Sequence, residues 1–452
     1  MDSRGPEPWN PDRTWADPFI ATLALLVVLA VGFNAGARRA RPARPSTRVE
    51  LQGRIADVTL AAPRVLGALA GTALGSGEAL GSLEKKTAPG WDRAILAVHA
   101  AERGDLASGA RLSGTVPDAT FREIWSWAYQ GAGRTPLPGE LAGVLRALGE
   151  GYAAGMLEAR CAARAGGDPK PAEARASAWV LPRLAALAAA GLAAAVLALG
   201  GLAMAIFLAA VPARPHAPPR FAMSGRALLI VLLGWFLTHL GAGFVTGTAL
   251  ILLPFLRPAA LPLTYALHAL LGTAYLCWAE DIGPRELAAR VAPGRAGRAL
   301  ASGLGFFALA FAAVLAVSVA LSPFLHAAEP PQKDLMDLLS RMRGPLSVGL
   351  LFLTVAVVAP VFEELLFRGL LLPWLGERLE ARLGRRPGWL LAVAVSGLLF
   401  GAMHLQPLGL PTLGTLGIVL GFAFLRTGNL LTSILVHGLW NGGIFLFMRF
   451  FA

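Results

Sequence analysis

The sequence predicts an all-α, polytopic membrane helical bundle of about eight to nine spans, with a small helical extramembrane domain near the N-terminus. Three observations lead there. Hydrophobic residues make up 55% of the 452-residue chain and charged residues only 15%, against about 25% charged in ordinary soluble domains. From residue 180 onward, apolar runs follow one another, each near the roughly 20 residues that cross a bilayer. Arginines gather between those runs, where cytoplasmic loops collect positive charge.

The elements follow in order. Residues 1–44 read as a polar tail and an uncleaved anchor helix: the first eighteen residues carry acids, no A-x-A site clearly follows, and the apolar run 19–36 ends in the basic cluster "ARRARPARPSTR". Residues 45–177 change character. Charges of both signs return, and apolar residues recur at helical spacing in "EIWSWAYQGAG" and "ELAGVLRALGEGYAAGMLEARCAARA". This reads as a helical extramembrane domain of unknown role, with "GGDPKPAEAR" as the linker out of it. Residues 178–224 form a connecting transmembrane segment, either one tilted helix or a tight hairpin. Residues 225–452 form the core bundle. The expected spans are 19–36, 185–212, 227–255, 259–278, 299–321, 345–366, 388–406, 408–426 and 430–449.

The formal net charge of +12 raises nucleic acid as a partner, but the loop placement of the arginines favours membrane topology, and no nucleic-acid partner is expected. Cys161 and Cys277 cannot build a disulfide scaffold or a cysteine-rich zinc site. Membrane lipids are the expected surroundings, and the richness in Ala, Leu, Gly and Arg suggests a bacterial inner membrane. Orientation contains a conflict. Read as a loop, residues 368–387, with Arg368, Arg378, Arg382, Arg385 and Arg386, face the cytoplasm. Counting back through single spans puts residues 37–184 outside, whereas "ARRARPAR" argues for inside. Gly243 and Gly247, four apart, permit close helix packing but set no oligomeric state.

The chemistry lies in polar residues within the apolar runs. "VFEELLFRGLLL" places Glu363, Glu364 and Arg368 where each charge costs roughly 2.5–3.5 kcal/mol at the centre of a spanning helix. Glu364 and Arg368 are i and i+4 and can pair, while Glu363 points about 100° away, a carboxylate free to act as a general base. The bland alternative is a helix end with charges snorkelling to headgroups. "SGLLFGAMHLQP" sets Phe400 and His404 on one helical face, and "SILVHGLWNGGIF" does so for His437 and Asn441. His239 and His268 read as hydrogen-bonded core histidines. Glu363, His404, His437 and Asn441 supply a base, its orienter and two donors, the parts needed to hydrolyse an amide.

Glu-Glu-x-x-x-Arg (Glu363, Glu364, Arg368), Phe-x-x-x-His (Phe400, His404) and His-x-x-x-Asn (His437, Asn441), in that order, resemble the CPBP family. That family contains the type II CAAX prenyl endopeptidases and the bacterial Abi, or bacteriocin-immunity-like, membrane proteins. The resemblance covers residues 225–450 and leaves the first 180 outside. It implies an intramembrane endopeptidase acting on membrane-associated peptide or protein substrates in a cavity open to the cytoplasm. Glu363 would activate water with help from His404, and His437 and Asn441 would stabilise the oxyanion. Glu364 and Arg368 would hold the helix end, and Phe400 would pack beside His404. A bacterial source would argue against prenylated CAAX proteins as substrates. Glu363, His404 and His437 could hold Zn²⁺ with an open position, yet no HExxH pair is present and Asn441 suits an oxyanion hole. A cofactor-free, glutamate-based mechanism is therefore the expectation. The competing readings are a non-catalytic immunity or scaffolding protein of the same fold, and a transporter, for which no internal repeat is visible.

Overall fold

A computed structural model describes residues 51–66, 90–211, 224–279, 283–291, 296–322 and 344–451 apart from Leu405, with a few isolated positions besides. All regular structure among them is helical. They divide into two compact units, one of Arg41–Ala193 with Phe447–Ala452 and one that includes Ala194–Leu446.

The first unit contains α1 (Leu51–Leu66), α2 (Trp91–Glu102), α3 (Leu106–Gly114), α4 (Ala119–Gln130), α5 (Pro138–Leu148) and α6 (Tyr152–Arg164). Aspartates cap two of them: Asp105 accepts from the Ser108 N–H at 3.0 Å and Asp118 from the Phe121 N–H at 2.8 Å, which satisfies amides that a helix start leaves open. The core packs Leu60, Ile95, Leu96, Phe121, Trp125 and Leu157. A buried polar network runs through it. His99 Nε2 lies 2.8 Å from Asp57 Oδ1, which also accepts from the Ala153 N–H at 2.9 Å. Glu102 accepts from Arg160 Nε at 2.8 Å and Nη2 at 2.9 Å, from Tyr129 Oη at 3.0 Å and from Arg64 Nη1 at 2.5 Å. Burial alone would raise the Glu102 carboxyl, but these donors outweigh it and hold it below its ordinary value.

α7 runs unbroken for 41 residues, Lys170–Ala210, through Pro182, which resolves the tilted-helix or hairpin alternative in favour of one helix. It also starts inside the expected linker, whose turn ends at Pro169. Pro171 does not prevent this, because a first-turn residue needs no N–H partner. The bundle continues with α8 (Gly225–Leu252), α9 (Ala260–Ala279), the short α10 (Pro284–Val291) and α11 (Ala296–Leu321). Then come α12 (Pro345–Leu353), α13 (Ala359–Glu364), α14 (Leu372–Leu383), α15 (Arg385–Ala402), α16 (Leu410–Thr427) and α17 (Leu430–Phe451).

Seven helices among the described residues are long and apolar enough to span a membrane, and Pro345–Leu383 counts as one of them. The chain is an integral membrane protein with a helical bundle. The expected span 388–406 is present as α15, whose first turn holds Arg385, Arg386 and Pro387 and which is not among the seven. The expected anchor 19–36 lies outside the described residues but for four isolated positions. Residues 368–387 are not a loop. Helix continues to Leu383, and Arg368 is fully buried rather than a loop charge. Gly243 and Gly247 face open space within the chain.

Candidate active site

The site is built on Pro345–Leu383, whose α-helical hydrogen bonding is interrupted by two π turns, Thr354–Val358 and Leu365–Leu371. α13, carrying Glu363 and Glu364, lies between them. A proline explains where each turn sits. The Ala359 N–H bonds back five residues to the Thr354 carbonyl, so the next bond in that register would run from residue 360 to the Val355 carbonyl. Pro360 has no N–H to make it. The orphaned carbonyl instead accepts from Asn441 Nδ2 at 3.0 Å. The second turn repeats the pattern: the Leu372 N–H bonds to the Phe367 carbonyl, and Pro373 follows.

α17 can approach this turn because residue 438 is glycine. A Cβ there would sit 2.6 Å from the Ala356 carbonyl oxygen, closer than packed atoms allow. Gly438 thus sets the distance at which His437 and Asn441 reach Pro345–Leu383. α15 and α16 pack by the same device, since a Cβ on Gly417 would lie 2.6 Å from the Gly397 oxygen.

Glu364 and Arg368 are both fully buried, with Arg368 Nη1 2.7 Å from Glu364 Oε1. Arg368 Nη2 donates to the Gly417 carbonyl on α16 at 2.7 Å. His437 lies between the two glutamates. Its Nδ1 is 3.0 Å from Glu364 Oε1, and its Nε2 is 3.9 Å from Glu363 Oε2. Among the described residues Glu363 Oε2 has no hydrogen-bond partner, although it is buried. Phe400, with no exposed surface, is the hub. Its ring meets those of His404 at 5.2 Å and His437 at 5.3 Å, and the Arg368 guanidinium lies 4.8 Å from its centroid. His404 stands just past the end of α15 rather than within it. Its Nδ1 is 2.9 Å from the Phe400 carbonyl, an acceptor only, so Nδ1 carries the proton and Nε2 is left for other work.

The glutamates are steered from the other side by α8 and α9. Trp235 stacks on Phe362 at 4.6 Å and His268 meets the same ring edge-on at 4.3 Å. His268 is buried with Nδ1 3.1 Å from Thr238 Oγ1. Phe362, next to Glu363, is thereby clamped. Sequence spacing pointed to neither this clamp, the Val355 carbonyl nor the contact of His437 with Glu364. The prolines at 360 and 373 and the glycine at 438 were the available signals.

The zinc alternative can be tested on the donor set. Among the described residues no three His, Cys, Asp or Glu side chains gather as a metal ion would need.

Residues 345–443 match the model of the Rce1-like type II CAAX prenyl endopeptidase family. The chain is also 25% identical over 143 residues to the membrane-embedded CAAX protease MroQ of Staphylococcus aureus (strain USA300), over 31% of this chain and 55% of that protein. The match therefore spans about half the length of this relative. No solved structure matches. The stretch that resembles the type II CAAX prenyl endopeptidases, residues 345–443, contains all of Glu363, Glu364, Arg368, Phe400, His404, His437 and Asn441.

Proposed function

We propose that the chain is an intramembrane endopeptidase that hydrolyses peptide bonds of membrane-associated substrates by a glutamate-based, metal-free mechanism. The observation that carries this reading is the carboxylate of Glu363: a buried oxygen without a partner, 3.9 Å from His437 Nε2, inside an apolar bundle. A gap of that width is too long for a direct hydrogen bond, and a reacting oxygen lying to one side of it is within reach of both groups.

Glu363 takes a proton from water as the water oxygen attacks the peptide carbonyl carbon, with His404 Nε2 as second partner of that water. The carbonyl oxygen becomes an oxyanion. Asn441 gives one amide N–H to Val355 and keeps the other for this oxygen. His437 gives Nδ1–H to Glu364 and turns Nε2 toward the oxygen reacting beside Glu363. Preorganised donors of this kind are worth about 10²–10³ each in rate. The proton held by Glu363 then passes to the leaving nitrogen as the C–N bond breaks, and carboxylic acid and amine are released.

The test is cleavage of membrane-anchored peptides by the purified full-length chain in nanodiscs, before and after exhaustive chelation. Chelated protein is expected to keep its activity and to hold less than stoichiometric metal by elemental analysis. Activity that leaves with stoichiometric zinc and returns with it would overturn the metal-free mechanism.

A further inference from the structure

Glu364 Oε1 takes two contacts at once, Arg368 Nη1 at 2.7 Å and His437 Nδ1 at 3.0 Å. A carboxylate paired with a guanidinium is an acceptor only, so the proton in the second contact belongs to His437 Nδ1. The imidazole is thus held by one edge, and its other nitrogen must face the opposite way, toward Glu363. The carboxylate is itself held, because Arg368 is anchored on the Gly417 carbonyl at 2.7 Å and lies against the Phe400 ring. All three side chains are closed to solvent, with 0% exposure for Glu364 and Arg368 and 3% for His437.

We propose that Glu364 is a positioning residue for the peptidase reaction: it fixes the tautomer and rotation of His437, so that Nε2 is presented to the reacting oxygen beside Glu363. This rests on the peptidase reading above and deepens it. Glu364 is closed to solvent. Its work is done through the imidazole, in addition to the ion pair that stabilises the fold. The chain Gly417–Arg368–Glu364–His437 ties α16, the second π turn, α13 and α17 to one ring orientation. A merely structural ion pair would need Arg368 alone, and would leave either face of His437 free to turn.

Two measurements on full-length protein test this. The first needs no activity: ¹⁵N NMR of the His437 ring in the wild type should show a proton on Nδ1, and a ring protonated only at Nε2 overturns the proposal. The second uses Glu364→Asp, which keeps a charge for Arg368 but withdraws the carboxylate from His437 by one methylene. The ring should then populate both tautomers, and kcat should fall about 10²-fold, as for a misplacement of about 1 Å, with KM within about twofold. Wild-type kcat together with a wild-type tautomer in Glu364→Asp overturns it. Should Glu364→Asp fail to fold, the wild-type tautomer still decides. A wild type that cleaves no peptide sinks the peptidase reading, whereas the tautomer measurement stands apart from it.

Discussion

Glu363 keeps a buried carboxylate oxygen without a hydrogen-bond partner among the described residues, a state that costs about 1–3 kcal/mol or more for a charged group. A fold tolerates that cost where the group has work to do. Glu363→Ala is therefore expected to abolish proteolysis while melting at the wild-type temperature or above it. Activity equal to wild type on a cleaved peptide would sink the base assignment. Glu364→Ala should behave in the opposite way. It strips the partner from a fully buried guanidinium, and breaking such a pair by one side costs about 3–5 kcal/mol. Thermal unfolding of the two variants side by side checks both, and a normally stable Glu364→Ala contradicts the burial argument. At this scale the i, i+4 spacing of Glu364 and Arg368 was readable, because helical geometry alone makes them neighbours. The contacts of His437 were not, since they join residues 73 apart through packing that no local pattern encodes.

At the scale of elements, apolar runs marked the helices but not the interruption of their hydrogen bonding. Pro345–Leu383 holds no residue that looks out of place for a span except its charges and its prolines, and a proline signals only that some backbone bond is missing. Which carbonyl is orphaned, and that Asn441 answers it, depends on α17 lying within reach. Gly438 controls that reach. Gly438→Ala places a Cβ 2.6 Å from a backbone oxygen that cannot step aside. Helix α17 must retreat, which carries Asn441 and His437 away from their partners, and kcat should fall about 10²-fold while the chain still inserts and folds. Unchanged turnover in purified Gly438→Ala would show that the approach is looser than drawn. In the first unit the decisive element contact is polar. Glu102 joins α1, α2, α4 and α6 through Arg64, Tyr129 and Arg160. Its carboxyl is held below the ordinary value of 4.5. A depressed carboxyl contributes stability that is present above the unfolded value and lost as pH falls through the folded one. Acidification below about pH 4.5 should therefore weaken this unit, and Glu102→Gln should flatten that dependence. Circular dichroism across pH 3–7 (about four units around the transition) checks it, and an identical acid limb in the variant would contradict it.

For the whole molecule, the class of bundle was legible because a span must be continuous and apolar over about 20 residues, a demand that composition alone reveals. The side of the membrane on which residues 90–164 lie is a prediction from a second reading, the arginine bias. Arg214 and Arg220 stand between α7 and α8 with Arg226 in the first turn of α8, Arg285, Arg290 and Arg295 between α9 and α11 with Arg298 in the first turn of α11, and Arg378, Arg382, Arg385 and Arg386 beyond α13. Three segments separated by even numbers of spans share one sign, and such agreement argues for the cytoplasmic face. One span, α7, lies between the first of them and residues 90–164, so those residues are expected on the opposite, non-cytoplasmic face. The basic cluster at residues 38–48 argues the other way, but a single cluster weighs less than three concordant segments. The native cysteines permit a direct test. Cys161 is buried at 3% exposure, and burial, followed by the nearby Glu158 carboxylate, pushes its thiol up to about 11. It should react slowly at neutral pH, because the thiolate is the nucleophile. With Cys277 replaced by serine, Glu123→Cys adds a reporter at an exposed position of α4. A membrane-impermeant maleimide added to intact cells should label this reporter and leave the parent chain dark. Labelling that appears only after the membrane is opened would place these residues in the cytoplasm, on the face where the arginine-rich segments were expected to stand alone.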